Sequence, residues 1–120
     1  KKIFNMSKVP NEYLKHIQDE INYLVGDSRT LPVGKFLRNQ TKMRAYARSL
    51  SIIGEAAKLV PSEFKNRHPD LDWKGMAGMR DRLIHHYFGV DYELVWDVVK
   101  NEIPKLKIEI EKILSDKMEA

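Results

Sequence analysis

Apolar residues recur at three- and four-residue spacing through most of this chain, and this periodicity constrains its fold more than any other feature. The first stretch covers residues 10–25 and predicts an amphipathic helix, which residues 26–28 end. Residues 31–39 are expected to form a short turn or helix. A second long helix is predicted over residues 43–60, because Pro61 cannot continue it.

The second half of the chain carries two further helical stretches. Asp72 is a suitable N-cap for a third helix that begins at Trp73 and is closed by Gly89. Asp91 caps a fourth helix that keeps its spacing almost to the end of the chain, and Pro104 should bend or divide it. The buried stripe predicted for the third helix is Met76, Met79, Leu83 and Tyr87.

These patterns predict an all-α fold. No stretch alternates like a strand and no repeat is visible, so we expect an up-and-down helical bundle with about four main helices and short turns. A chain of 120 residues has room for one core, and a single domain is expected over residues 1–120. The absence of cysteine excludes disulfide frameworks and fits a cytoplasmic location. No apolar run approaches the ~20 residues of a membrane span.

The charge of the chain is unevenly distributed. Residues 28–54 contain six basic and no acidic side chains, so this stretch carries +6 and leaves −2 of the net +4 for the rest. Such a stretch suits RNA or an acidic protein partner, although a solvated helix face explains the charge equally well. The residues we assign to binding RNA or such a protein partner are Lys35, Arg38, Lys42, Arg44 and Arg48.

Charged and aromatic side chains are concentrated from Arg80 to Tyr87, at the end of the predicted third helix. On a regular helix these two residues are ~700° apart and project within ~20° of each other, beside the buried stripe. His85 lies ~140° from Arg80, so the two do not share a face. Their convergence requires a bent Arg80 side chain, distortion near Gly89, or a symmetric dimer that apposes two copies of the helix.

The same residues also have a purely structural interpretation, which chemistry alone favours. Arg80 and Arg82 are then surface charges, Asp81 pairs with His85 four positions later, and the histidines interact with the helix dipole. A metal site is not predicted. His85 and His86 point ~100° apart, and no cysteine or compact carboxylate cluster stands nearby.

Arg80, His85 and Tyr87 reproduce the R-x-x-x-x-H-x-Y motif of HEPN-domain ribonucleases. The surrounding AGMRDRLIHHYFGVDYELVWDVV resembles the HepT toxins of HepT/MntA toxin–antitoxin pairs, and the upstream SLSIIGEAAKLVPSEF resembles the same family. The likeness covers residues 44–114, and the first helix matches in pattern only.

Two positions depart from the family's pattern. Ser49 stands where the family commonly has Asn, and Asp72 stands where a Pro often precedes the Trp. The departures affect residues around the motif and leave the motif itself intact.

The resemblance implies a metal-independent ribonuclease that acts as a homodimer, with the motif helices of both protomers lining a cleft. A ribose 2′-hydroxyl would attack the adjacent phosphate and leave a 2′,3′-cyclic phosphate and a 5′-hydroxyl. His85 is then the general acid or base and Arg80 binds the phosphate. Asp81 orients Arg80 or His85, and His86 is a weaker catalytic candidate.

The resemblance also implies a protein partner. An MntA-like nucleotidyltransferase antitoxin would transfer AMP from ATP to Tyr87 and so neutralise the toxin. Two other functions stay open: a non-catalytic helical partner or substrate-binding subunit of a nucleotidyltransferase, and a helical RNA-binding module without chemistry. The sequence holds no Gly-rich phosphate loop, no nucleophile elbow and no paired-carboxylate motif, so NTP hydrolysis and ester hydrolysis have no support. No cofactor is predicted.

Overall fold

The computed structural model describes residues 9–85 and 89–119, which are mostly helical. The helices are α1 (Val9–Ser28), α2 (Val33–Phe36), α3 (Gln40–Leu59), α4 (Ser62–Arg67), α5 (Trp73–Ala77), α6 (Met79–Leu83), α7 (Tyr92–Asp97) and α8 (Ile103–Glu119). A π-helical turn, Val98–Glu102, joins α7 to α8. A small antiparallel hairpin follows α6 and consists of β1 (Ile84–His85) and β2 (Gly89–Val90). The predicted all-α class is confirmed.

Helix α1 lies between α3 and α8 and runs antiparallel to both. Ser49 Oγ of α3 donates to Glu20 Oε1 at 2.7 Å, and Lys107 Nζ of α8 donates to Asn22 Oδ1 at 2.7 Å. The apolar residues that the helical spacing selected face inward, since burial of one stripe is what stabilises an amphipathic helix. Fully buried side chains of α1, α3 and α8 include Leu14, Ile17, Ile21, Leu24, Tyr46, Leu50, Ile53, Ile103 and Ile110.

Helix α1 is longer at its C-terminal end than predicted. It continues through Gly26 to Ser28, because the last turn has partners from distant parts of the chain. The Ser28 carbonyl oxygen accepts a hydrogen bond from Lys100 Nζ at 3.0 Å, and Asp27 accepts one from Lys42 Nζ at 2.8 Å. Helix termini leave carbonyl groups unpaired, and the lysine ammonium satisfies one of them.

Both predicted N-caps are confirmed. Asp72 accepts from the Gly75 amide at 2.9 Å at the start of α5, and Asp91 accepts from the Leu94 amide at 3.1 Å at the start of α7. The cap is a local signal, since the side chain and its backbone donors are three residues apart.

The prediction of one continuous third helix closed by Gly89 is wrong. Gly78 separates α5 from α6, and the chain leaves the helix after Leu83 because Ile84 is extended, with φ −114° and ψ 123°. A β-branched residue followed by aromatic side chains disfavours helix in this segment. Gly89 lies in β2 with φ +72°, a backbone conformation that glycine adopts without a steric penalty.

Pro104 acts on the last helix as expected, by changing its geometry. A regular α-helix would place the Pro104 ring against the carbonyl of Lys100, and proline has no N–H to donate to it. The π-helical turn at Val98–Glu102 lies directly before α8. Its hydrogen bonds span five residues rather than four, so the backbone accommodates the proline ring and its missing N–H. The π turn also shifts the angular position of the residues at its end relative to an uninterrupted α-helix.

Candidate active site

The motif segment lies on two short elements, α6 and β1. Met79 and Leu83 are buried and hold α6 against α3, whereas Arg80, Asp81 and His85 are exposed. Met79 and Leu83 therefore anchor the segment, while the three candidate catalytic side chains remain accessible to a substrate.

The hairpin fixes the backbone at His85. His85 pairs with Gly89 and Ile84 pairs with Val90, and the Asp91 amide donates to the Leu83 carbonyl oxygen at 2.8 Å where the hairpin meets α6. The backbone torsions of His85 are therefore set by a ladder and by the left-handed conformation of Gly89.

Arg80 has weak local partners. Its Nη1 lies 3.9 Å from Asp81 Oδ1, and both side chains are more than half exposed. Within the described part of the chain, no hydrogen bond or ion pair joins Arg80 to His85, or Asp81 to His85. The structure thus places Asp81 beside Arg80, and within the described part of one chain neither residue is bonded to His85.

Two further candidate residues belong to the segment between β1 and β2. Tyr87, the predicted AMP acceptor, and His86, the weaker catalytic candidate, lie outside the described residues. The expected alignment of Tyr87 with Arg80 assumed a helix through both positions, and α6 ends at Leu83. The regular helix predicted through Arg80 therefore does not continue beyond Leu83.

Arg82 has a different environment from Arg80. Its Nη1 and Nη2 donate to the two carboxylate oxygens of Glu102 at 2.9 and 2.6 Å, and this pairing raises the pKa of the Arg82 guanidinium. The two residues are twenty positions apart, so no local sequence signal predicts the pair. An arginine with both nitrogens committed in this way is held in place rather than free to bind a phosphate.

The predicted basic surface is only partly free. Lys42 is half-buried and pairs with Asp27 at 2.8 Å, and Arg48 lies 3.5 Å from Glu55. Lys35, Arg38 and Arg44 are exposed, and across residues 10–85 and 89–116 no carboxylate lies within ion-pair distance of them. Of the five residues predicted to bind RNA or a protein partner, these three remain available to a polyanion.

A polar network lies at the junction of α1 and α3. Lys42 Nζ and the Tyr46 hydroxyl both donate to Asp27, the latter at 2.6 Å. Hydrogen bonds from Lys42 and then from Tyr46 lower the pKa of Asp27, while burial and then the bond to Asp27 raise the pKa of Tyr46. The network is structural, because the Tyr46 ring is fully buried.

A surface groove of about 270 Å³ lies on the Arg82 side of α6. Its lining includes Arg82 and Glu102 but neither Arg80 nor His85, so it is separate from the candidate catalytic side chains. The described residues contain no group of three His, Asp or Glu side chains placed to ligate a metal. In the same part of the chain, no helix is long and apolar enough to cross a membrane.

Known proteins match this chain over most of its length. The family described as Ribonuclease HepT-like matches residues 11–113. A "Putative RNase" of Caldanaerobacter subterraneus subsp. tengcongensis is 43% identical over 107 residues, which cover 89% of this chain and 96% of that protein. A "Putative RNase" of Methanocaldococcus jannaschii is 41% identical over 104 residues, covering 87% and 86% of the two chains.

A third relative carries the family's own name. The "Probable ribonuclease HepT" of Thermococcus cleftensis is 42% identical over 108 residues, covering 90% of this chain and 98% of that protein. No solved structure matches the chain. Since the matched region contains α6 and the hairpin, and since the relatives align along most of their own length, the chain belongs to the ribonuclease HepT-like family.

Proposed function

We propose that this protein is the toxin of a toxin–antitoxin pair and cleaves RNA internally without a metal ion. The observation that carries the proposal is the exposure of Arg80 and His85 on a backbone fixed by α6 and the hairpin. Family membership supports the ribonuclease activity. The mode of cleavage and the biological role are proposals.

The reaction uses the 2′-hydroxyl of the RNA as the nucleophile. A base removes the hydroxyl proton while the 2′-oxygen forms a bond to phosphorus, and the bond from phosphorus to the 5′-oxygen breaks as an acid protonates that oxygen. The products are a 2′,3′-cyclic phosphate and a 5′-hydroxyl. The imidazole of His85 has the chemistry for one of these proton transfers near neutral pH.

Arg80 stabilises the phosphate during the reaction. The charge on the non-bridging oxygens increases in the transition state, and a guanidinium can donate to two of them at once. Asp81 lies 3.9 Å from Arg80, so its role is to orient the guanidinium rather than to transfer a proton.

A homodimer completes the site in this proposal. No hydrogen bond or ion pair joins Arg80 and His85 within the described part of one chain, and a two-fold axis beside α6 places the Arg80 of one protomer near the His85 of its partner. Sedimentation in moderate salt should show a dimer at micromolar protein concentration. A monomer that cleaves RNA with full activity would exclude this arrangement.

The first experiment measures cleavage of total RNA with and without a chelator. Cleavage should persist with the chelator, and His85→Ala should lower the rate by about 10²–10⁴ through loss of proton transfer. His16→Ala is the matched control, since His16 is an exposed histidine on α1. Loss of cleavage with the chelator, or full activity of His85→Ala, would contradict the mechanism.

Arg80→Ala tests the phosphate contact in the same assay. It should lower the rate strongly, whereas Arg67→Ala should not, although Arg67 is exposed to a similar degree and also lies near a carboxylate. If the parent protein binds RNA without cleaving it, the protein is a binding module. If it neither binds nor cleaves RNA but binds a nucleotidyltransferase, it is the non-catalytic partner subunit.

We further propose that an MntA-like nucleotidyltransferase neutralises the toxin by transferring AMP to Tyr87. The phenolic oxygen attacks the α-phosphorus of ATP, pyrophosphate leaves, and the phenol proton passes to a base. The added phosphodiester carries a negative charge and a bulky nucleoside two residues from His85, where they would compete with RNA. Intact-mass measurement should show an AMP adduct on the parent protein and none on Tyr87→Phe. The same adduct on that variant would exclude Tyr87 as acceptor.

The basic residues are proposed to bind RNA or the antitoxin. Lys35, Arg38 and Arg44 have the free cations, whereas Lys42 and Arg48 already pair with carboxylates. Charge reversal at Arg38 and Arg44 should weaken binding and reduce its salt dependence, because phosphate contacts release counterions. Unchanged affinity for both partners would leave these residues as solvated surface.

A further inference from the structure

Arg82 is the charged residue of α6 that the proposed reaction does not use. Its guanidinium makes two hydrogen bonds to the Glu102 carboxylate, at 2.9 and 2.6 Å. Two parallel bonds between a planar guanidinium and a planar carboxylate fix the relative orientation of the groups, as well as their distance. The contact of Arg80 with Asp81 at 3.9 Å has no such directional constraint.

Helix α6 depends on its surroundings for its orientation. It has five residues, and a helix of this length is not stable in water by itself. Buried Met79 and Leu83 hold one face of α6. On an ideal helix Arg82 and Arg80 are ~200° apart, so the Glu102 contact holds the side of α6 opposite to Arg80.

The partner of Arg82 is placed by the break in the last helix. Glu102 is the final residue of the π-helical turn, two positions before Pro104. Because the wider turn changes the angular position of its last residues, a continuous α-helix would present Glu102 in another direction. The position of Glu102 beside Arg82 therefore depends on the π-helical turn, and the same turn accommodates Pro104.

We propose that Arg82 and Glu102 are positioning residues that set the orientation of the last turn of α6, and with it the placement of Arg80 relative to His85. The kinetic consequence rests on the proposed ribonuclease mechanism. Both side chains are more than 40% exposed, and exposed ion pairs contribute little to global stability. The pair therefore acts on local geometry, and its loss should affect turnover more than folding.

The kinetic test uses Glu102→Gln on a mixed-sequence oligoribonucleotide. The kcat should fall by at least about ten-fold with KM within about two-fold, because a displacement of about 1 Å in a catalytic group is costly. Glu111→Gln is the matched control: Glu111 lies on α8, which follows the π-helical turn, and it accepts from Lys107 at 2.8 Å with an exposure similar to that of Glu102. It should leave both constants unchanged.

The charge swap separates positioning from simple loss of charge. Arg82→Glu alone and Glu102→Arg alone should each lower kcat, and the double variant should recover most of it. Arg82→Lys keeps the charge but loses the two parallel bonds, so it should recover only part. A double variant no better than the single ones would overturn the proposal.

A measurement without substrate distinguishes this proposal from the proposed function. The Asp91 amide donates to the Leu83 carbonyl oxygen at the base of the hairpin. Its hydrogen exchange should be about ten-fold faster in Glu102→Gln than in Glu111→Gln, with equal urea midpoints, because only local opening is affected. Equal exchange would overturn the positioning role. Faster exchange in a protein that cleaves no RNA would support the positioning role and reject the proposed reaction.

Discussion

The α1–α3 junction and the α6–β1 segment use charged side chains in opposite ways. At the junction, the Asp27 carboxylate accepts from Lys42 Nζ and from the buried Tyr46 hydroxyl. In the α6–β1 segment, Arg80 and His85 extend into solvent, and the nearest carboxylate to Arg80 in the ion-pair range is 3.9 Å away. Polar groups at the junction stabilise the fold, whereas Arg80 and His85 of the segment are left available for a ligand.

This contrast means that variants in the two regions should have separable effects. Substitutions at the junction should lower the free energy of unfolding, and those at the exposed motif side chains should lower activity with little effect on folding. Each variant below tests whether that separation holds.

The largest effect on stability is expected from Ile21→Ala. Ile21 is fully buried in α1, and its truncation removes apolar contacts and leaves a cavity, which costs about 3 kcal/mol. Urea unfolding measures this loss. Arg80→Gln should change the same quantity by less than about 0.5 kcal/mol. Equal losses for the two variants would remove the distinction between the regions.

Tyr46→Phe should destabilise the protein by about 2 kcal/mol at pH 7, because it removes a hydrogen bond to a carboxylate. Lys42 first and Tyr46 second lower the pKa of Asp27 in the folded state. Stability from that shift is present above the unfolded pKa of about 4 and is lost as pH falls through the folded pKa.

The difference in unfolding free energy between the parent and Tyr46→Phe should therefore shrink from pH 7 to pH 3. Urea midpoints at several pH values measure it. Tyr23→Phe is the control, since Tyr23 is partly exposed and its ring packs edge-on against Tyr46. A difference that stays constant with pH would mean that the Tyr46 hydroxyl does not act through Asp27.

The smallest effects come from two glycines. Gly89→Ala should cost about 1 kcal/mol, since φ +72° is unfavourable for a residue with a Cβ atom, and it should also disturb the backbone at His85. Gly26→Ala, inside α1 with open space around the added Cβ, should stabilise by about 0.5 kcal/mol. Gly89→Ala with unchanged stability and activity would show that the hairpin does not hold His85.

The sequence predicted features that depend on neighbours along the chain. The caps at Asp72 and Asp91 and the disturbance at Pro104 are local, and their geometry follows from residues three or four positions away. The apolar spacing likewise selected the buried face of α1. The motif residues Arg80 and His85 were identified by family resemblance rather than by helical geometry.

The sequence patterns did not predict features that depend on contacts between residues far apart in the chain. The extension of α1 to Ser28 depends on Lys100, which is 72 positions away, and the fixing of Arg82 depends on Glu102. The sequence of the hairpin segment fits two structures. The spacing of Leu83 and Tyr87 is typical of a helix, whereas Ile84 and the aromatic residues before Gly89 are typical of a strand. In the folded protein the segment forms the hairpin, so contacts made in the tertiary structure outweigh the helical pattern.

The bond between Lys100 Nζ and the Ser28 carbonyl has a consequence for synthesis of the chain. Its two ends are separated by 72 residues, which a ribosome adds in roughly 4 to 14 s at 5–20 residues per second. During that time α8 cannot cover the apolar stripe of α1, and Glu102 is not yet present to hold Arg82. The nascent chain thus exposes the apolar stripe of α1 for seconds, and Arg82 gains its carboxylate partner only after Glu102 has been added.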